Sequence, residues 1–209
     1  MYYFDINTTF ANVWGYPLSY IEFVGTLFGL LSVYFATRQN ILTWSTGIVN
    51  VVCFFLIFSQ VSLYSDMFLQ VYFFIVSLYG WFIWKRKEDN TLKITQLSSR
   101  QKQTILIILV LSTGILGYFI EHIHLFFPSI FTKPASYPYI DTFIAISSII
   151  ANVLLARKIL ENWLLWILTD ILCVFVYFQK NILFISIEYF IFLSLAIHGL
   201  STWKKTLKS

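Results

Sequence analysis

Residues 20–87 recur as residues 139–206 at a constant offset of 119 positions, without a gap. Tyr20-Ile21-Glu22 falls on Tyr139-Ile140-Asp141, Arg38 on Arg157 and Trp44 on Trp163. Gln60 falls on Gln179, Gly80 on Gly199, and Trp84-Lys85 on Trp203-Lys204. The weight of the match lies in these rare residue types, which an apolar composition does not align by accident. An internal repeat of this length fixes the architecture before any single element is assigned. In a membrane chain it points to a transporter with its binding site between the two halves.

The chain has the composition of a membrane protein: 58% apolar, 20% aromatic and 11% charged, with a mean hydropathy of +0.76. A soluble domain of 209 residues has too little interior to hide that much apolar surface, so the solvent must be lipid. A bilayer core of about 30 Å takes roughly 20 mostly apolar residues per helix. That rule predicts seven spans, at 20–37, 41–59, 64–84, 104–124, 139–156, 162–179 and 182–203. The expected fold is all-α and integral to the membrane, with two three-helix repeats joined by a linking helix. The corresponding segments are an external N-terminal stretch 1–19, repeat one at 20–87, a linker with helix four at 88–138, repeat two at 139–206 and a tail at 207–209.

Seven spans place the termini on opposite sides. With Lys85-Arg86-Lys87 in the cytoplasm, that side also collects Arg38, Lys93, Arg100, Lys102, Arg157, Lys158, Lys204, Lys205 and Lys208. The other side keeps only Lys133 and Lys180. The positive-inside rule then puts the N-terminus outside and the C-terminus inside. Because each repeat has an odd number of spans, one linking helix restores direction, and the repeats run parallel. The basic residues sit at span ends, so the net charge of +4 is no sign of nucleic-acid binding. Cys53 and Cys173 lie inside apolar runs and read as packing residues.

A carboxylate at mid-span costs about 2.5–3.5 kcal/mol on insertion scales and marks a candidate functional site. Asp170 lies near the middle of span six. At 100° per residue Trp163, Trp166, Asp170 and Tyr177 fall within an arc of about 60°. Aromatic faces beside a buried negative charge suit a flat organic cation. The alternative is that Asp170 pairs with a neighbouring helix and the tryptophans form an interfacial belt. Asn50 lies at the equivalent depth in span two, either as a ligand or as interhelical glue. Gln70 aligns with Tyr189 across the repeat, which makes both candidate cavity liners. Glu22 and Asp141 begin spans one and five, where acids complement a helix dipole. Asp66 and Glu188 lie towards the outer end, in solvated, vestibule or binding roles. Glu121-His122-Ile123-His124 lacks a third partner at metal spacing, so no metal or cofactor is expected. No nucleophile elbow, phosphate loop or HExxH is present, which argues against an enzyme.

Several stretches resemble the PnuC family of bacterial vitamin transporters, best known for nicotinamide riboside. They include Tyr20-Ile21-Glu22-Phe23-Val24-Gly25-Thr26, Gly47-Ile48-Val49-Asn50-Val51 and Leu69-Gln70-Val71-Tyr72-Phe73-Phe74. Tyr79-Gly80-Trp81-Phe82-Ile83-Trp84, Glu161-Asn162-Trp163-Leu164-Leu165-Trp166, Glu188-Tyr189 and the Gly199 to Trp203 stretch continue the match in order. The resemblance associates the Trp-x-x-Trp element, here Trp163 and Trp166, with ligand binding. It implies a SWEET-like three-plus-one-plus-three fold, a homotrimer in the bacterial inner membrane, and facilitated diffusion drawn inward by cytoplasmic phosphorylation of the substrate. Some nicotinamide riboside carriers are expected to carry Asn where this chain has Asp170. Family relatives carry thiamine, riboflavin or deoxynucleosides, and Asp170 favours a cation, either nicotinamide riboside or thiamine. A seven-helix receptor, a small-solute channel and a membrane enzyme are the rival classes, and the parallel repeat and stacking aromatics favour a carrier.

Overall fold

The computed structural model describes residues 4–61, 64–85, 92–127, 129 and 134–208. Seven helices follow one another: α1 Tyr20–Thr37, α2 Leu42–Gln60, α3 Tyr64–Lys85, α4 Ser99–Phe126, α5 Pro138–Ala156, α6 Asn162–Gln179 and α7 Leu183–Lys208. All seven are long and apolar enough to cross a membrane. The predicted spans fall on them, and those of α1 and α6 coincide to the residue. Helix α4 starts earlier than its span and α7 ends later, because polar turns at the basic ends continue the helical ladder into the interface. Arg86, Lys87 and Lys133, which entered the charge count, lie outside the described residues, as does the boundary at 87–88.

Local chemistry sets the helix ends. Ser19 caps α1 by accepting from the Glu22 amide at 3.3 Å, while the Glu22 carboxylate accepts from the Ser19 amide at 3.4 Å. At the other end Arg38 has φ −90° and ψ 5°, and Arg157 at the end of α5 has φ −91° and ψ 4°. The next residues, Gln39 and Lys158, both turn left-handed at φ 55° and 53°. The two repeat-related turns thus follow one backbone path.

The N-terminal segment 1–19, expected only as an external stretch, holds a β-hairpin. Strands β1 Thr9–Val13 and β2 Tyr16–Ser19 pair antiparallel. Trp14 and Gly15 join them with φ of 50° and 86°, the twist a two-residue hairpin needs. The hairpin is tied down at three places. The Tyr16 hydroxyl donates to Glu22, its ring stacks on Phe184 of α7 at 5.0 Å, and Gln60 of α2 bonds the backbone of Phe4 and Ile6. Burial, with the adjoining Glu22 carboxylate, holds the Tyr16 hydroxyl protonated well above its ordinary range.

Neighbouring helices form a closed ring. Helix α1 packs on α2, α2 on α3, α3 on α5, α5 on α6, α6 on α7 and α7 back on α1, while α4 lies outside the ring, mainly against α5. The ring is sealed where Arg38 and Arg157 lie, here called the basic end. There Trp44 meets Trp84 edge-on at 5.3 Å and 85°, and Trp163 meets Trp203 at 5.5 Å and 87°. Trp84 Nε1 donates across the seam to the Ala156 carbonyl at 2.9 Å, and Trp203 Nε1 to the Ala36 carbonyl at 3.1 Å. Lys158 Nζ donates to Gln39 Oε1 at 3.4 Å, joining two residues 119 positions apart. Helix α3 therefore hooks onto α5, and α7 onto α1.

Candidate functional site

Above this sealed end the ring encloses a cavity of about 300 Å³. All six ring helices line it. Helix α1 supplies Gly29 and Ser32, α2 Gly47 and Asn50, and α3 Gln70 and Ser77. Helix α5 supplies Asn152, α6 Trp166 and Asp170, and α7 Glu188 and Tyr189. Its floor is the seam itself, formed by Ala36, Trp44, Leu155, Trp163 and Ala196. Two carboxylates face the cavity, and no Lys or Arg is among the described residues that line it.

Helix α6 has the strongest amphipathic character of the seven and turns Trp166 and Asp170 inward together, as residues four apart on a helix must. Asp170 is 5% exposed. Among the described residues its carboxylate has neither a hydrogen-bond donor nor a cation. The neighbouring Thr169 hydroxyl is spent on its own helix, donating to the carbonyls of Leu165 and Trp166 at 3.1 and 2.9 Å. A buried carboxylate without a partner is costly unless something completes it. The interhelical ion pair weighed for Asp170 from sequence is absent among the described residues.

Asn50 lines the cavity and also holds helices together. Its Nδ2 donates to the Gly25 carbonyl of α1 at 2.8 Å. A Cβ at Gly29 would come within 2.7 Å of that nitrogen, so glycine is what lets the amide reach across. Gln70 and Tyr189 face the same space. Tyr189 is oriented by Tyr177, whose ring lies parallel to it at 5.5 Å and 8°.

Of the expected site residues, Trp163 lines the cavity at its floor and Tyr177 lies beyond it. Trp163 is 1% exposed and serves as floor, with its indole over Gly199, where a Cβ would meet the ring at 2.7 Å. Its repeat mate Trp44 does the same over Gly80, at 2.4 Å. Tyr177 does not line the cavity. Both lie seven residues from Asp170, one on each side, which keeps the helical face but moves about 10 Å along the axis. The stripe is longer than the chamber. Asn152 was not singled out from sequence, although a lone amide in the apolar run Ile149 to Leu155 is a usable signal.

Seven membrane-length helices, six of them ringed around one cavity that two carboxylates face, define a multi-pass membrane protein with an internal binding chamber. Comparison with known proteins specifies the kind. A family model described as "Nicotinamide mononucleotide transporter" matches residues 19–205. The nicotinamide riboside transporter PnuC of Escherichia coli strain K12 is 32% identical, over 90% of this chain and 87% of its own length. The riboflavin/roseoflavin transporter RibM of Streptomyces davaonensis is 24% identical, over 87% of this chain and 83% of its own. The crystal structure of the vitamin B3 transporter PnuC superposes with a TM-score of 0.69 at 23% identity, covering 90% of this chain and 82% of that one. At that identity the superposition speaks for the fold. The chain belongs to this family of transporters, as its resemblance to PnuC carriers implied, and it is not an enzyme.

Proposed function

We propose that the protein takes up nicotinamide riboside, with the cationic pyridinium ring against Trp166 and its charge facing Asp170. The single observation that carries this reading is the charge of the cavity: Asp170 and Glu188 face it, without a Lys or Arg among the described lining residues. The family description names the mononucleotide, whereas the similar Escherichia coli carrier is named for the riboside. A phosphate dianion brought beside two carboxylates would be repelled and left without a donor fork. A riboside cation completes Asp170 instead. Riboflavin is neutral and gains nothing from that carboxylate.

Asn50, Gln70 and Tyr189 offer the hydrogen-bonding groups that a ribose requires, and Tyr177 acts behind Tyr189. The basic end is cytoplasmic by the positive-inside rule, so the N-terminal hairpin lies outside. Residues 20–87 and 139–206 form two parallel three-helix repeats joined through α4, a reading supported by the matched tryptophan hooks and the Gln39–Lys158 contact. Transport proceeds by rocking of these halves around the chamber, as a homotrimer in the bacterial inner membrane. Net uptake follows from phosphorylation of the cargo inside the cell.

The test is binding by purified protein to nicotinamide riboside, its mononucleotide, thiamine and riboflavin. Nicotinamide riboside binds tightest, and the mononucleotide weakest of the nicotinamide pair. Asp170→Asn weakens riboside binding at least about tenfold, since removing one partner of a buried charge pair costs roughly 2–5 kcal/mol. Unchanged affinity in that variant sinks the cation site. Tighter binding of thiamine would keep the cation reading and change the vitamin.

A further inference from the structure

The segment between α3 and α4 reads in sequence as polar punctuation, yet residues 92–98 are built into the seam. Thr95 forms a bridge with the α5–α6 turn: its amide donates to the Lys158 carbonyl at 3.1 Å, and its carbonyl accepts from the Leu160 amide at 2.9 Å. The Leu97 amide donates to Glu161 Oε2 at 3.0 Å, and Lys102, in the first turn of α4, pairs with Glu161 Oε1 at 2.9 Å. Ile94 is 7% exposed and belongs to the apolar cluster of Ala36, Trp44, Trp163 and Trp203. Among the described residues the strap's polar bonds all go to the α5–α6 turn and the start of α6, while Ile94, the most buried of its three apolar side chains, enters a cluster drawn from both repeats.

Among the described residues no segment is fastened in this way to the corresponding turn of the first repeat. The residue equivalent to Glu161 is Leu42, whose amide is capped locally by Asn40 at 2.9 Å. Symmetry therefore predicts two turns alike, and among the described residues only the second is strapped. The same cluster is the cavity floor, so the strap lies directly under the passage that must open for release.

We propose that residues 92–97 are a latch that holds the cytoplasmic gate shut, with Ile94 as the bolt and Glu161 as its anchor. This rests on the alternating-access reading above. Opening the gate separates the Trp203–Ala36 and Trp84–Ala156 hooks, and Ile94 then loses the part of its cover that the first repeat supplies. Because Glu161 begins the helix that carries Trp166 and Asp170, strap and cargo site ride on one body. The latch sets the resting balance between the two open sides; it does not contact cargo.

The experiment uses full-length protein with Cys53 and Cys173 replaced by alanine and Ser77→Cys as a reporter in the cavity. Membrane-impermeant maleimide is applied to right-side-out and inside-out vesicles, with and without nicotinamide riboside. Ile94→Ala raises the cytoplasmic labelling rate about tenfold and lowers the outer rate, because a lost gate contact shifts population between the two states. Glu161→Gln and the half-exposed Lys102→Met do the same more weakly, and they carry the test should Ile94→Ala fail to fold. A rise on both sides alike means general loosening and overturns the latch. So do unchanged rates in all three variants while riboside still shifts labelling in the parent. If riboside shifts nothing in the parent, the alternating-access reading fails, and the latch with it.

Discussion

The two repeats are alike at the basic end and unlike in the chamber. At the seam, Trp44 over Gly80 beside Trp84 is reproduced by Trp163 over Gly199 beside Trp203, down to nearly identical ring angles. One helical turn further along, Gly47 stands where the other repeat has Trp166, and Val51 where it has Asp170. Both seams set an indole on a glycine, so matched packing is kept at this end. In the chamber both carboxylates, Asp170 and Glu188, come from the second repeat, while both repeats supply aromatic rings. Under the proposed carrier reading, the matched seam is the joint and the unmatched chamber grips the cargo.

The largest effect that can break this comparison is on the seam. Trp163→Ala should cost about 3–5 kcal/mol of stability by emptying a fully packed site, and Trp44→Ala a similar amount. Thermal unfolding in detergent checks both; a mild Trp163→Ala with lost cargo affinity would return that residue to the binding site. Next come Gly80→Ala and Gly199→Ala, each forcing a methyl into an indole, at roughly 1–3 kcal/mol. Their melting temperatures should fall together; a large inequality would mean that the two joints carry different loads. Trp166→Ala should leave the melting temperature nearly unchanged and weaken riboside binding by about tenfold, the scale of a desolvated cation–π contact. Equilibrium binding measures it, and a neutral cargo should respond less. The smallest effect belongs to Tyr177→Phe, which keeps the ring behind Tyr189. Its affinity should stay within about twofold, within the ±0.5 kcal/mol usual for substitutions away from special sites, and a larger loss would place its hydroxyl in the cargo's path.

Much of the fold was legible because lipid leaves the backbone so few options. Each apolar run of membrane length had to become a helix, and α1 and α6 coincide with the predicted spans because the polar breaks Arg38 to Asn40 and Arg157 to Glu161 bound those runs. The hairpin at Thr9 to Ser19 was missed because its strands are short, although Trp14-Gly15 was a readable turn. The strap was missed for a similar reason: Leu92, Ile94 and Leu97 are too few and too unevenly spaced among polar residues to show a period. Within the site, Asp170 and Trp166 were legible from depth and face. Trp163 and Tyr177 shared that face, but a helical wheel has no axial coordinate and cannot tell that Trp163 is floor while Tyr177 lies beyond the cavity.

By itself the sequence determined a seven-helix membrane protein with an internal sequence repeat and one mid-span acid, because burial in lipid and helical periodicity act locally along the chain. Only the tertiary structure decided which side of the stripe is floor and which is chamber. It also decided that Asn152 joins the lining and that the linker threads the seam. Those outcomes depend on how six helices close into a ring, and contacts between residues far apart in sequence leave no local period to read.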